Sequence, residues 1–132
     1  MEKIQETLRF VRLAETRKNL DFSDEKLLDL NEILDEYEAN QLKLKQRQRR
    51  LKMRLNEGPA DKAQLIDEYF AVKVSVHENE MAMWKKVREL LTPDETIEFF
   101  TFYQEFQRKV QQRARQLNRP NQRNPRNNRF RN

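Results

Sequence analysis

The chain has 132 residues, about the length of one small domain. Charged residues make up 37% of it and hydrophobic residues 36%, with one glycine, four prolines and no cysteine. So few breakers exclude a turn-rich sandwich or barrel, and the missing cysteines exclude a disulfide scaffold or a thiolate metal site. No window approaches the roughly 18 uninterrupted apolar residues of a membrane span. Met1 leads directly into Glu2 and Lys3, unlike a signal peptide.

The net charge of +5 is unevenly placed. Five arginines (Arg119, Arg123, Arg126, Arg129 and Arg131) and no acid lie beyond Asn118, leaving 22 charges of each sign in residues 1–118. The body is neutral and the tail basic.

In chain order, Glu2 to Lys18 places Ile4, Leu8, Val11 and Leu13 at roughly helical spacing, with Phe10 beside them, and predicts a first helix with a modest apolar stripe. Ser23 then precedes Asp24 and Glu25, an N-cap followed by acids that the helix dipole favours. From Ser23 to Asn56 there is no glycine or proline. Leu27, Leu30, Leu34, Tyr37, Gln41, Leu44, Gln48, Leu51 and Leu55 alternate in steps of three and four, a heptad seam interrupted by two glutamines. A helix of that span needs a partner along its length. Gly58-Pro59 supplies a stop, and a third helix over Asp61 to Leu91 can fold back. Its Leu65, Tyr69, Val72, Val76, Met83 and Leu90 form one stripe, interrupted by Asn79 and Lys86. A second stripe, Ile66, Phe70, His77, Met81, Trp84 and Leu91, needs either the flanking helices or another copy to cover it.

Leu91-Thr92-Pro93-Asp94-Glu95 combines Thr92 as a cap, Pro93 at the first helical position and Glu95 closing a capping box. A last helix from Pro93 to Leu117 follows, with five aromatic residues between positions 99 and 106 that predict burial of its first half. An echo at an offset of 69 aligns Phe22-Ser23-Asp24-Glu25 with Leu91-Thr92-Pro93-Asp94, Leu28 with Ile97, Leu30 with Phe99, Ile33 with Phe102 and Tyr37 with Phe106. The expected organisation is a single helical domain over 1–118 and a disordered tail over 119–132.

Catalysis lacks parts: one histidine, no cysteine and no glycine-rich phosphate loop, so no enzyme activity and no cofactor is expected. His77 and Met81 share a helix face, and imidazole with thioether suits copper or nickel. Packing on the Phe70 and Trp84 stripe is the favoured reading, because metal sites need three or four ligands. The run Lys43, Lys45, Arg47, Arg49, Arg50, Lys52 and Arg54 holds seven cations in twelve residues without an acid. Lys43, Arg47, Arg50 and Arg54 line one face beside the leucine seam, an electropositive binding surface or a solvated flank whose stems cover apolar surface.

The capped acidic turn, the long basic hairpin and the Leu91–Glu95 motif opening an aromatic helix resemble the Spy/CpxP-like family, periplasmic stress and heavy-metal-sensor proteins marked by a Leu-Thr-x-x-Gln motif. Glu95 stands where the family has glutamine, and Phe22-Ser23-Asp24-Glu25-Lys26 departs further. The resemblance implies an elongated all-α, four-helix chain with a long antiparallel hairpin, forming a cradle-like homodimer in the bacterial envelope. It also implies export by a signal peptide missing from this sequence. Its implied role is ATP-independent chaperone-like or sensory binding of unfolded or envelope proteins, with Lys43, Arg47, Arg50, Leu51 and Arg54 as client-binding candidates. The alternatives are a periplasmic metal sensor, or a basic nucleic-acid-binding protein using the tail and the Lys43–Arg54 run.

Overall fold

The computed structural model describes residues 2–58 and 61–117, with side chains over 6–58 and 61–116. The expected disordered tail, 119–132, lies outside the described residues, as do Pro59 and the side chain of Ile4. Four helices follow in order: α1 (Glu2–Asn19), α2 (Asp24–Asn56), α3 (Lys62–Leu90) and α4 (Pro93–Leu117). No strand occurs among the described residues. The chain divides into two compact units, Met1–Thr96 and Ile97–Asn132.

In the first unit, α2 and α3 form a long hairpin packed along its length. At 33 residues, α2 is about 50 Å long. The seam repeats every 3.5 residues, so one face of α2 stays turned toward α3 over its full run. Leu27, Leu30, Leu34, Tyr37 and Leu51 are buried, and Gln41, Leu44, Gln48 and Leu55 are half-buried. At the turn end, Leu51, Leu65 and Val72 make a core cluster packed by Leu55, Tyr69 and Val76. Each fully buried leucine contributes about 1.5–3 kcal/mol relative to staying exposed.

The polar interruptions of the two stripes meet each other. Asn79 Nδ2 donates to Gln41 Oε1 at 2.9 Å and to the Tyr37 carbonyl at 3.2 Å. The Lys86 interruption resolves differently. Val87 takes the inner position, with no exposed surface, and Lys86 points outward to Glu36 at 3.4 Å. The seam of α3 therefore steps by four residues from Met83 to Val87 rather than by three.

Helix ends follow the local chemistry. Ser23 Oγ accepts from the Lys26 N–H at 3.2 Å, and Asp61 Oδ1 accepts from the Gln64 N–H at 3.2 Å. The capping box closes in both directions, Glu95 N–H to Thr92 Oγ1 at 3.2 Å and Thr92 N–H to Glu95 Oε1 at 3.0 Å. Gly58 ends the α2 turn at φ 71°, a left-handed backbone that side chains resist.

The apolar stripe expected on α1 is not its inner face. Phe10, Val11 and Leu13 are exposed, Phe10 at 72%, and only Leu8 is half-buried. Arg12 and Thr16 are buried instead, at 1% and 0% exposure. Leu8, Val11 and Leu13 do not sit on one 3.6-residue stripe, whereas Arg12 and Thr16 do, and α2 offers them polar partners.

In the second unit, α4 carries a ladder of rings along one side. Phe99 and Tyr103 stack at 5.2 Å between centroids, Phe102 and Phe106 at 6.0 Å, and Tyr103 and Phe106 at 6.3 Å. Phe99 and Tyr103 are buried, while Ile97 and Phe100 are exposed, so the burial expected of this segment falls on one face only. The echo between α2 and α4 extends to burial: Leu30 and Phe99 are both fully buried, and Leu28 and Ile97 are both largely exposed.

Candidate functional site: a cationic half-helix

The charges of α2 are segregated by length. Residues 24–38 hold seven acids and one base, whereas 39–56 hold the seven bases of the Lys43–Arg54 run and no acid. Negative charge at the start of a helix and positive charge at its end both oppose the macrodipole, so this order costs the helix nothing. The two halves have different fates.

The acidic half receives α1. Arg12 donates through Nε to both oxygens of Glu38, at 3.1 and 3.2 Å, through Nη1 to Asn31 Oδ1 and through Nη2 to Asp35 Oδ1. Arg9 grips the same Asp35 carboxylate with two bonds of 3.1 and 3.2 Å. Asn31 Nδ2 donates to the Leu27 carbonyl at 2.8 Å and to Thr16 Oγ1 at 3.2 Å, and that hydroxyl donates to the Leu13 carbonyl at 2.9 Å. Among the described residues no buried side-chain nitrogen or oxygen lacks a partner. A groove of about 280 Å³ opens here, lined by Glu6, Arg9, Phe10, Arg12, Leu13, Asn31 and Asp35. Its cations are already committed to carboxylates, which leaves little charge for a ligand. The one base of this half, Lys26, reaches Glu95 Oε1 at 2.7 Å. That contact, with the Thr92 N–H behind it, holds the Glu95 carboxyl below the ordinary glutamate range. Lys26 and Glu95 occupy the third position of their helices, 69 residues apart, so the two capped starts are tied at equivalent sites.

The basic half receives nothing comparable. Lys43, Lys45, Arg47, Arg49, Arg50, Lys52 and Arg54 are all exposed, and none forms an ion pair among the described residues. Lys43, Arg47, Arg50 and Arg54, spaced four, three and four residues apart, lie on one face as expected. Leu51 does not join them. It is buried in the hairpin seam at 6% exposure, so its side chain belongs to the core and is closed to a client. Met53, 63% exposed and one turn from Arg50, is the apolar side chain this surface offers instead, and the sequence reading passed over it.

The motif residues Ser23, Leu91, Thr92, Pro93 and Glu95 are structural. Four build the two helix starts, and Leu91 is buried at 4%. His77 and Met81 are not packed. His77 is exposed and Met81 is 52% exposed, because the α3 seam turns away from them. No group of three or more histidine, cysteine or carboxylate residues placed to hold a metal ion occurs among the described residues. No described helix is long and apolar enough to cross a membrane. No protein-family model, curated protein or solved structure matches the chain.

Proposed function

We propose that the chain is a protein-binding, ATP-independent chaperone-like protein of the bacterial envelope, acting as a cradle-like homodimer. The observation that carries this reading is the basic half of α2, with seven exposed cations and no ion pair among the described residues. Charges left unneutralised in this way attract an oppositely charged partner over about a Debye length, 8 Å at physiological salt. Met53 beside Arg50 adds a flexible apolar contact suited to varied partners. Capture of this kind uses no nucleotide, in keeping with a sequence that has a single glycine and so no phosphate loop. The periplasmic setting and the sensory variant of the role rest on the family resemblance of Leu91–Glu95.

The test is suppression of aggregation of a denatured acidic client at near-stoichiometric ratio without ATP. Replacing Arg47, Arg50 and Arg54 together by glutamate is expected to slow capture at low salt while circular dichroism stays unchanged. No suppression by the wild type at several-fold excess overturns the reading. Equal performance of the charge-reversed variant removes the basic face from it. The same cations also favour a second reading, an interface for nucleic acid. Tight RNA or DNA binding that weakens steeply with salt would establish that reading in place of the first.

A further inference from the structure

Among the described residues the outer face of α3 is apolar and largely exposed. Ile66, Phe70, Val74, His77, Met81 and Trp84 recur every three or four residues over a span of about 27 Å. Ile66, Phe70, Val74 and Met81 are 41–57% exposed, His77 is exposed and Trp84 half-buried. An apolar stripe of this length marks an interaction surface. Val74, outside the stripe expected from the sequence, completes it.

What covers the stripe is indicated by the charges beside it. At 100° per residue, Lys73 and Glu80 fall on one flank and Asp67 and Lys85 on the other. All four are exposed and none forms an ion pair among the described residues. Lys73 lies over the Tyr69 ring at 5.7 Å, which holds its ammonium along that flank. Between residues 66 and 85 the first flank carries one acid and one base, and the second carries Asp67, Lys85 and, about 20° further round, Glu78. The midpoints of the Lys73–Glu80 and Asp67–Lys85 pairs nearly coincide. Lys73 and Glu80 are centred between residues 76 and 77, Asp67 and Lys85 on residue 76, and the stripe from Ile66 to Trp84 on residue 75. Two antiparallel helices related by a two-fold axis bring each flank against the same flank of the other copy. With the axis near residue 76, Lys73 of each copy meets Glu80 of the other, and Asp67 meets Lys85. Glu78, about 20° beyond the Asp67 and Lys85 flank, falls against Val74 of the other copy and so meets no like charge.

We infer that a second copy of this chain docks antiparallel on the outer face of α3, with Phe70 set against Met81 and Trp84 of the other copy and Lys73–Glu80 and Asp67–Lys85 pairs along the two edges. A partner helix of different sequence would need no such internal symmetry; the self-complementary charge pattern selects the chain itself. The interface deepens the homodimer of the proposed function and is independent of client capture.

Two measurements test it, and the absence of native cysteine keeps the second clean. By sedimentation equilibrium at low salt, the wild type is expected to dimerise at micromolar concentration. Lys73→Glu, which turns two attractive contacts into repulsive ones, is expected to weaken the dimer at least tenfold, and adding Glu80→Lys should restore it. His77→Cys, beside the axis, is expected to form a covalent dimer under mild oxidation, whereas Ala82→Cys, exposed on another face of α3, is not. A wild type that remains monomeric throughout overturns both this interface and the homodimer. A dimer indifferent to the charge reversal, with no His77→Cys cross-link, overturns the interface alone, leaving dimerisation and client capture standing.

Discussion

At the scale of single residues, Glu95 does two things. It closes the capping box of α4 through its backbone and side chain, and it receives the Lys26 ammonium. Its lowered pKa means that it binds a proton less readily in the folded chain than in the unfolded one. The stability it contributes is therefore fully present above the ordinary glutamate range and is lost as pH falls through its folded value. Glu95→Gln keeps the cap geometry and discards the charge. The variant is expected to melt below the wild type at neutral pH, with the difference closing on acidification below the ordinary glutamate range. A gap independent of pH in thermal melts would show that the Lys26 contact contributes nothing. Both caps were legible in the sequence, because Ser, Thr and Glu at fixed offsets have one dominant use there. Lys26–Glu95 was not, because local chemistry says nothing of which distant charge arrives. Arg12 was hidden for a related reason. An arginine on a helix reads as solvent-facing whatever its neighbours, here Val11 and Leu13, and its burial is decided by Asn31, Asp35 and Glu38 on another helix.

At the scale of elements, the α2–α3 hairpin was legible because its signal is periodic and redundant. Nine positions of α2 agree on one face, and glycine with proline marks the turn. The sequence did not show that the polar interruptions of the two stripes meet, since Asn79 and Gln41 are matched only by the hairpin register. A paired polar layer in an apolar seam penalises other registers at a cost in stability. Replacing Asn79 and Gln41 together by leucine is expected to raise the melting temperature by several degrees, as half-buried polar groups give way to apolar contact. The same variant should lose its single association state, giving mixed masses in light scattering. Replacing Asn79 alone leaves the Gln41 amide unpaired in the seam, so no comparable gain is expected. A double variant no more stable than the wild type would mean that the layer is already as favourable as leucine. The α3 step from Met83 to Val87 was also beyond reach: Lys86 occupies the regular heptad place, and only packing shows that the next residue fills it.

At the scale of the molecule, stability within the first unit is unevenly distributed. The hairpin is held by a largely apolar seam, whereas α1 is attached to α2 chiefly through the Arg9 and Arg12 network. The exposed Phe10, Val11 and Leu13 add little to that attachment. Elements attached in this way open locally at lower free energy than the core they rest on. Amide hydrogen exchange is therefore expected to be faster across residues 10–19 than across 30–37 and 65–87 under conditions where the protein stays folded. Arg12→Met makes the expectation sharper. It takes the Arg12 guanidinium from Glu38, leaves Asp35 to Arg9, and removes the donor to Asn31, and breaking a buried charged pair costs about 3 kcal/mol at the low end. That end of the range applies because Asp35 and Glu38 keep 31% and 28% of their side-chain surface. Protection over α1 should fall by roughly a hundredfold, the equivalent of that free energy, while protection in the hairpin stays within a few-fold of the wild type. Loss of protection in both places would instead make α1 an integral part of one cooperative core. Unchanged protection in α1 would place its attachment in apolar contacts. The expected result leaves the cationic half of α2 untouched, since Arg9, Arg12 and Thr16 all bond to the acidic half, and so separates the arm that stabilises the fold from the surface available to a partner.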